Sequence, residues 1–242
     1  MTPLVSVIIP VFNGAAYLAE ALDSVFVQTR LPDEVVVVDD GSTDATAAVA
    51  RRFGDRIRYL SQEHAGIGPA RNRGLRASTG SLVAFLDHDD LWTVEKLDLQ
   101  VRALEASPAT GLVFGLVEEF VSPDLPAHEQ ARLLLREGRH PGYLVGAMLA
   151  RRSAFETVGE FPAAFRAGEF VDWYLRAVES GIPHALLPHV VLRRRLHMTN
   201  TGRGAIESRT DFARVLKNSL DRRRRGAASA PALRVPDQAD GG

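Results

Sequence analysis

Apolar and polar positions along the first hundred residues alternate between two periods. The stretch "LVSVIIP" (4–10) is a continuous, β-branched apolar run and predicts a strand buried on both faces. Over 14–27, Leu18, Ala21, Leu22 and Val25 recur at helical spacing. "EVVVVDD" (34–40) predicts a second buried strand, and "TDATAAVARRF" (43–53) a second helix. A weaker strand, "RIRYLS" (56–61), precedes a glycine-containing loop and a helix around "PARNRGLRAS" (69–78). "SLVAFLD" (81–87) and "VEKLDLQVRALEAS" (94–107) supply a fourth strand and a fourth helix. Strand–helix alternation at this spacing implies right-handed crossovers and a parallel sheet covered by helices, an α/β fold.

The second half is less regular. "GLVFGLVEEFV" (111–121) predicts a strand, "EQARLLLRE" (129–137) a short amphipathic helix, and 142–159 a strand with a turn of helix. "GEFVDWYLRAVESG" (168–181) predicts a helix closed by Gly181 and Pro183, and 184–194 contains another strand. After a last helix at about 206–221, "RRRR" and a proline-containing stretch of small residues (222–242) are expected to be disordered. The expected organisation is one domain over 1–221, made of a regular half (1–107) and a less regular half (108–221). No internal repeat is present.

Composition narrows the class. The 242 residues are 45% apolar and 24% charged, ordinary globular values. A net charge of −1 argues against a nucleic-acid-binding surface. The chain has no cysteine, so thiolate metal sites, disulfides and cysteine nucleophiles are excluded. The N-terminus lacks a basic leader, and no segment approaches the roughly 18 apolar residues of a membrane span. The expectation is a soluble cytoplasmic protein, with peripheral contact to a membrane left open and the oligomeric state undetermined.

Ligands of open parallel sheets bind beyond the carboxyl ends of the strands, where "PVFNG", "DDGSTD" and "DHDD" all lie. Asp87, Asp89 and Asp90 follow the fourth strand, and carboxylates grouped so tightly repel one another unless a cation intervenes. A hard divalent ion such as Mg²⁺ typically takes one or two carboxylates together with substrate phosphates. The plainer alternative is a solvated loop with Asp90 capping the next helix. At the second strand, capping accounts for Ser42, Thr43 and Asp44, but not for Asp39 and Asp40, which could accept from a nucleobase N–H or a ribose hydroxyl. Gly66 and Gly68 match the dinucleotide fingerprint poorly, because its third glycine is replaced by Arg71 and the loop follows the third strand. Arg71, one turn inside a helix, suggests instead a cation aimed at phosphate, against the alternative of a surface arginine.

"VSVIIPVFNG", "VVVVDDGSTD", "GPARNRGL" and "VAFLDHDDLW", in that order, resemble the family 2 glycosyltransferases of the GT-A fold. The resemblance is specific through about residue 105 and looser through "MLARRSAFETVGEF" (148–161), "GEFVDWYLR" (168–176) and "RRRLHMTN" (193–200). It implies a Rossmann-like, mostly parallel sheet flanked by helices, with an acceptor-side C-terminal half. It also implies an inverting transferase that uses a nucleotide sugar, most often UDP-linked, and a divalent metal, Mn²⁺ or Mg²⁺. By position, Pro10, Phe12 and Asn13 match the first nucleotide loop. Asp40 matches the aspartate that accepts from the base, with Asp39 beside it, and Arg71 and Asn72 match the motif near ribose and diphosphate. Asp87 is assigned toward ribose and to the metal, His88 to the nucleotide, Asp89 to the metal, and His197 to the vicinity of metal and diphosphate.

One departure stands out. The acceptor-side motif commonly carries its base where this chain has Phe170, within Gly168-Glu169-Phe170-Val171-Asp172. Phe170 cannot take a proton, so Glu169 and Asp172 are the candidate bases. A nucleotide-sugar-binding protein without transfer activity is the competing reading. A nucleotide-dependent oxidoreductase is disfavoured by the broken glycine motif. The acceptor, whether saccharide, lipid-linked, peptide or small molecule, is not specified by the sequence.

Overall fold

Val5, Val7, Ile9 and Val11 face one hydrophobic layer and Ile8 the other, so the first strand is covered on both sides, as its uninterrupted apolar run requires. A computed structural model describes residues 3–198, 200 and 206–229. In chain order the first half comprises β1 (Val5–Val11), α1 (Leu18–Phe26), β2 (Glu34–Asp39), α2 (Thr46–Arg51), β3 (Arg58–Ser61), α3 (Ile67–Ala77), β4 (Leu82–Phe85), β5 (Leu91–Trp92) and α4 (Lys96–Ala106). The second half comprises β6 (Leu112–Val121), α5 (Ala127–Gln130), β7 (Arg139–Pro141), β8 (Leu149–Arg151), α6 (Arg152–Val158), α7 (Glu169–Glu179), β9 (His184–Leu196) and α8 (Ile206–Ser229).

These strands form one sheet in the order β3-β2-β1-β4-β8-β6-β9-β5, with β7 paired to β6. β3, β2, β1 and β4 are mutually parallel; β8 reverses direction, and β6 and β9 run parallel to each other. The expected α/β architecture of GT-A type is therefore present. One face of the sheet carries α1 and α4 through Leu18, Leu22, Val25, Leu97, Val101 and Leu104. The other buries an aromatic layer of Phe85, Phe114, Phe155, Phe161, Phe170 and Trp173. At Gly74 a Cβ would collide with Ile8, so only glycine lets α3 lie this close to β1. That approach brings Arg71 under the carboxyl end of the sheet.

Three local expectations differ from the structure. The helix expected over 129–137 is a single turn, Ala127–Gln130. Leu134 beyond it is 86% exposed, and an amphipathic helix with no surface to pack against lacks its main source of stability. The short strands β5 and β7 carry no apolar period long enough to announce them. The last helix continues through Arg222 to Ser229, so this part of the expected tail is helical, while 230–242 lie outside the described residues. Among the described residues no helix is long and apolar enough to cross a membrane.

Candidate active site

The acidic turn after β4 is held from three sides. The amide of Asp90 donates to the carbonyl of Asp87 (3.1 Å), and the buried Asp90 carboxylate accepts from the backbone N–H of Arg195 (2.8 Å). Asp90 thus ties the turn to β9 and does not cap α4, whose start at Lys96 lies beyond β5. Burial, with repulsion from Asp89 and Asp87, pushes its carboxyl well above the usual range. The Arg195 guanidinium is buried between the rings of Tyr17 and Phe120. It donates to the Asp89 carbonyl (2.9 Å), Ser122 Oγ (3.1 Å) and Glu20 Oε2 (2.6 Å).

With its backbone fixed, Asp89 presents its carboxylate to His197, whose Nε2 lies 2.9 Å from Oδ2; Asn200 Nδ2 stands 3.3 Å from the same oxygen. Burial opposes the charge on Asp89, but the bond from His197 and the positive potential of His88 and His197 outweigh it and hold the carboxyl below its ordinary range. His88 packs against Gly14, where any Cβ would collide with the imidazole.

These residues fit a divalent cation only in part. Among the described residues no group of three or more acidic, histidine or cysteine side chains could hold a metal unaided. The Asp89–His197 pair nevertheless has the right chemistry, since carboxylate and imidazole both serve Mn²⁺ and related ions. Its 2.9 Å spacing also matches the distance of about 3 Å between neighbouring ligands of an octahedral ion with bonds near 2.1 Å. Such a site needs phosphate oxygens and water to complete it, the usual arrangement for nucleotide-bound Mg²⁺ or Mn²⁺.

Arg71 links this tip to the head of α7. Its guanidinium is buried and donates to Asp87 Oδ1 (2.7 Å) through one terminal nitrogen and to Glu169 through the other. Burial opposes the charge, but Asp87 and Glu169 outweigh it and raise its pKa. The expected phosphate-directed cation is therefore engaged by two carboxylates. Glu169 and Asp172 part company here. Glu169 shares an arginine with Asp87, whereas Asp172 is bonded by Arg176 (2.9 Å) and by Arg222 of α8 (3.1 Å). Phe170 faces the core, packed with Trp173 and Tyr174 and edge-on to Phe114.

The loops after β1 and β2 form the other wall. Pro10 is buried within β1, and Phe12, 41% exposed, stacks on His64 at 4.1 Å between ring centroids. Asn13 adopts φ 50°, tolerable for asparagine in the left-handed region, and its Oδ1 accepts from Thr43 N–H (2.8 Å). Asp39 accepts from Ser42 N–H (2.8 Å) and from the Tyr59 hydroxyl.

Asp40 is heavily engaged by its own loop. One carboxylate oxygen accepts from Gln62 Nε2 (2.6 Å) and Ala65 N–H (3.0 Å); the other accepts from Gly66 N–H (2.8 Å) and lies 2.9 Å from His64 Nδ1, which also stands 3.1 Å from the Asp40 carbonyl. Three of the roughly four lone-pair positions of the carboxylate are thus occupied by donors of this chain. Asn72 is likewise committed, since its amide both donates to and accepts from the backbone of Phe161. Arg195, Asn200, Tyr17, Glu20 and His64 belong to the site although the sequence did not single them out. Arg195 was hidden in an arginine-rich run, and Asn200 had only its nearness to His197 to mark it.

The description "Glycosyl transferase family 2" matches residues 6–160. An uncharacterized glycosyltransferase of Rickettsia felis is 32% identical over 233 residues, covering 90% of this chain and 38% of that relative. Glycosyltransferase AglE of Haloferax volcanii is 34% identical over 192 residues, covering 74% of this chain and 62% of AglE. The chain spans between 15% and 38% of the length of five Rickettsia relatives it matches. Among solved structures, Staphylococcus aureus TarS 1–349 in complex with UDP-GlcNAc superposes with a TM-score of 0.72 at 20% identity, covering 90% of this chain and 66% of that one. The mannosyltransferase PcManGT of Pyrobaculum calidifontis, in complex with GDP-Man and Mn²⁺, gives 0.66 at 26% identity, covering 93% and 65%. The TarS likeness bears on the fold alone. The family match extends over more than half of the sequence and includes the three strand-end clusters and the "GPARNRGL" segment of α3, and on that ground the chain belongs to glycosyl transferase family 2.

Proposed function

We propose that this domain moves a sugar from a nucleotide-sugar donor to an acceptor hydroxyl with inversion at the anomeric carbon. The observation that carries the reading is the Asp89–His197 pair beside Asp87 at the carboxyl end of β4, where a donor diphosphate would lie. A UDP-linked donor is favoured by TarS, which holds UDP-GlcNAc; PcManGT, which holds GDP-Man, makes a GDP-linked donor the competing outcome. Asp89 and His197 would hold a divalent cation, and bound there it would supply Lewis-acid stabilisation of the departing diphosphate.

The remaining work falls to this chain's own groups. The acceptor oxygen attacks the anomeric carbon from the face opposite the diphosphate, the carbon–oxygen bond to the diphosphate breaks, and the hydroxyl proton passes to a carboxylate. Glu169 is the proposed base. Its bond from Arg71 sets it one guanidinium away from Asp87, while Asp172 is spent on Arg176 and Arg222. Asp87 is proposed to face the ribose, Phe12 with His64 to stack against the base, and Asp39 and Asp40 to shape the base-side loop. Asn13 and Asn72 hold neighbouring backbone in place.

A second reading, nucleotide-sugar binding without transfer, is favoured by the burial of Phe170 in the aromatic core. Incubation with UDP- and GDP-sugars and Mn²⁺, followed by mass spectrometry, separates the two. Transfer or slow donor hydrolysis that stops with a chelator supports the transferase. Saturable donor binding with no product from any donor supports the second reading.

A further inference from the structure

The described part of α8 has two unlike faces. Asp211, Val215, Ser219 and Arg222 dock it onto the domain: Asp211 accepts from the backbone of Arg166 (2.9 Å), Ser219 and Arg222 bond Glu179 (2.6 Å each), and Arg222 reaches Asp172. On the outer face Phe212, Leu216 and Leu220 are 41%, 59% and 54% exposed. Spaced four apart, they fall within an arc of about 80°, at about 100° per residue.

The same geometry places Lys217 and Arg224 on this outer face or at its margin, both exposed; Arg223, also exposed, leans to the docked side, its Nε 3.7 Å from Glu179 Oε1. Within the helix between Thr210 and Arg225 the acidic residues, Asp211 and Asp221, lie outside the arc of about 140° that holds Phe212, Leu216, Leu220, Lys217 and Arg224. The outer face of an ordinary surface helix is polar. An apolar stripe edged by cations without intervening acids is instead the pattern of a helix lying in a lipid interface. A second copy of this face would bring like charges together.

We propose that the outer face of α8 rests on an anionic lipid bilayer, with Phe212, Leu216 and Leu220 at the boundary of headgroups and acyl chains and Lys217 and Arg224 against lipid phosphates. Clusters of basic residues beside apolar anchors give this dependence on lipid charge. The Phe212 ring covers Gly168, lying 3.4 Å from where a Cβ would stand, and Gly168 directly precedes Glu169. The bilayer would therefore lie near Glu169, the proposed base. Docking does not depend on the reaction; only its bearing on a membrane-borne acceptor rests on the transferase reading.

Flotation of the full chain with vesicles tests the docking without any turnover measurement. The chain should float with phosphatidylcholine–phosphatidylglycerol vesicles and not with pure phosphatidylcholine, and high salt should release it. L216E/L220E should lower partitioning about tenfold or more with an unchanged melting temperature. K217E/R224E, which leaves the apolar stripe intact, should remove the preference for anionic lipid. No flotation of the parent, or equal flotation of L216E/L220E, overturns the proposal. So does a dimer in solution that L216E/L220E converts to monomer, because the face would then be a protein interface.

Discussion

The turns after β2 and β4 use acidic residues in opposite ways. After β2, Asp39 and Asp40 are almost completely buried, and their oxygens are spent on the backbone and side chains of the loops they organise. At the tip of β4, Asp87 and Asp89 keep 30% and 17% of their side chains open. On the acceptor side, Asp172 is locked between two arginines and Phe170 has joined the core, which leaves Glu169 alone in contact with the donor-side network through Arg71. What separates the two turns is how far each carboxylate is buried and how many donors of its own loop it holds.

The comparison breaks most sharply at Glu169. Glu169→Gln should lower turnover by about 10² or more, with donor affinity nearly unchanged, as expected for loss of a general base. Asp172→Asn should act mainly on stability, by loosening the contact between α7 and α8. Full turnover in Glu169→Gln together with loss in a folded Asp172→Asn would move the base to Asp172.

A smaller effect is expected at Asp40. Asp40→Asn turns an amide NH₂ toward one of the donor pairs that now bind carboxylate, and should cost about 2–3 kcal/mol of stability. Weaker nucleotide binding should accompany that loss, and calorimetry with thermal unfolding measures both. Weakened binding at unchanged stability would restore a direct contact with the base.

The seam between the halves offers the smallest test. Lys96 is fully buried, donating to Gln100 Oε1 (2.5 Å) and the Met148 carbonyl (3.3 Å), with its ammonium over the Trp92 ring. Burial pushes its pKa well below the ordinary lysine value. The unfolded chain therefore binds the extra proton between the folded pKa and the usual value. Stability should rise with pH across that window, by up to about 1.4 kcal/mol per pH unit, and the gain should be complete above the ordinary lysine pKa. Lys96→Met should flatten this slope in denaturant titrations between neutral and mildly alkaline pH.

The α/β frame was legible because two-sided burial writes itself as unbroken β-branched runs, as in β1 and β2. The strand-end motifs were legible because polar clusters interrupt those runs at one end of the sheet. Asp90's bond to β9 was not, since it joins residues 105 apart and leaves no local pattern. Nor was the engagement of Asp40, since two of its donors, the N–H groups of Ala65 and Gly66, have no side-chain signature. Beyond Gln130 the expected amphipathic helix over 129–137 did not form, and Leu134 and Leu135 stand 86% and 41% exposed.

The central claim is that Asp89 and His197 hold a divalent cation together with the donor diphosphate. Mn²⁺ binding followed by electron paramagnetic resonance, with and without UDP, tests it most directly. The account predicts tight Mn²⁺ binding only when UDP is present, weakened about tenfold or more by Asp89→Asn and by His197→Ala. Mn²⁺–UDP affinity equal to the parent's in both folded variants would contradict it.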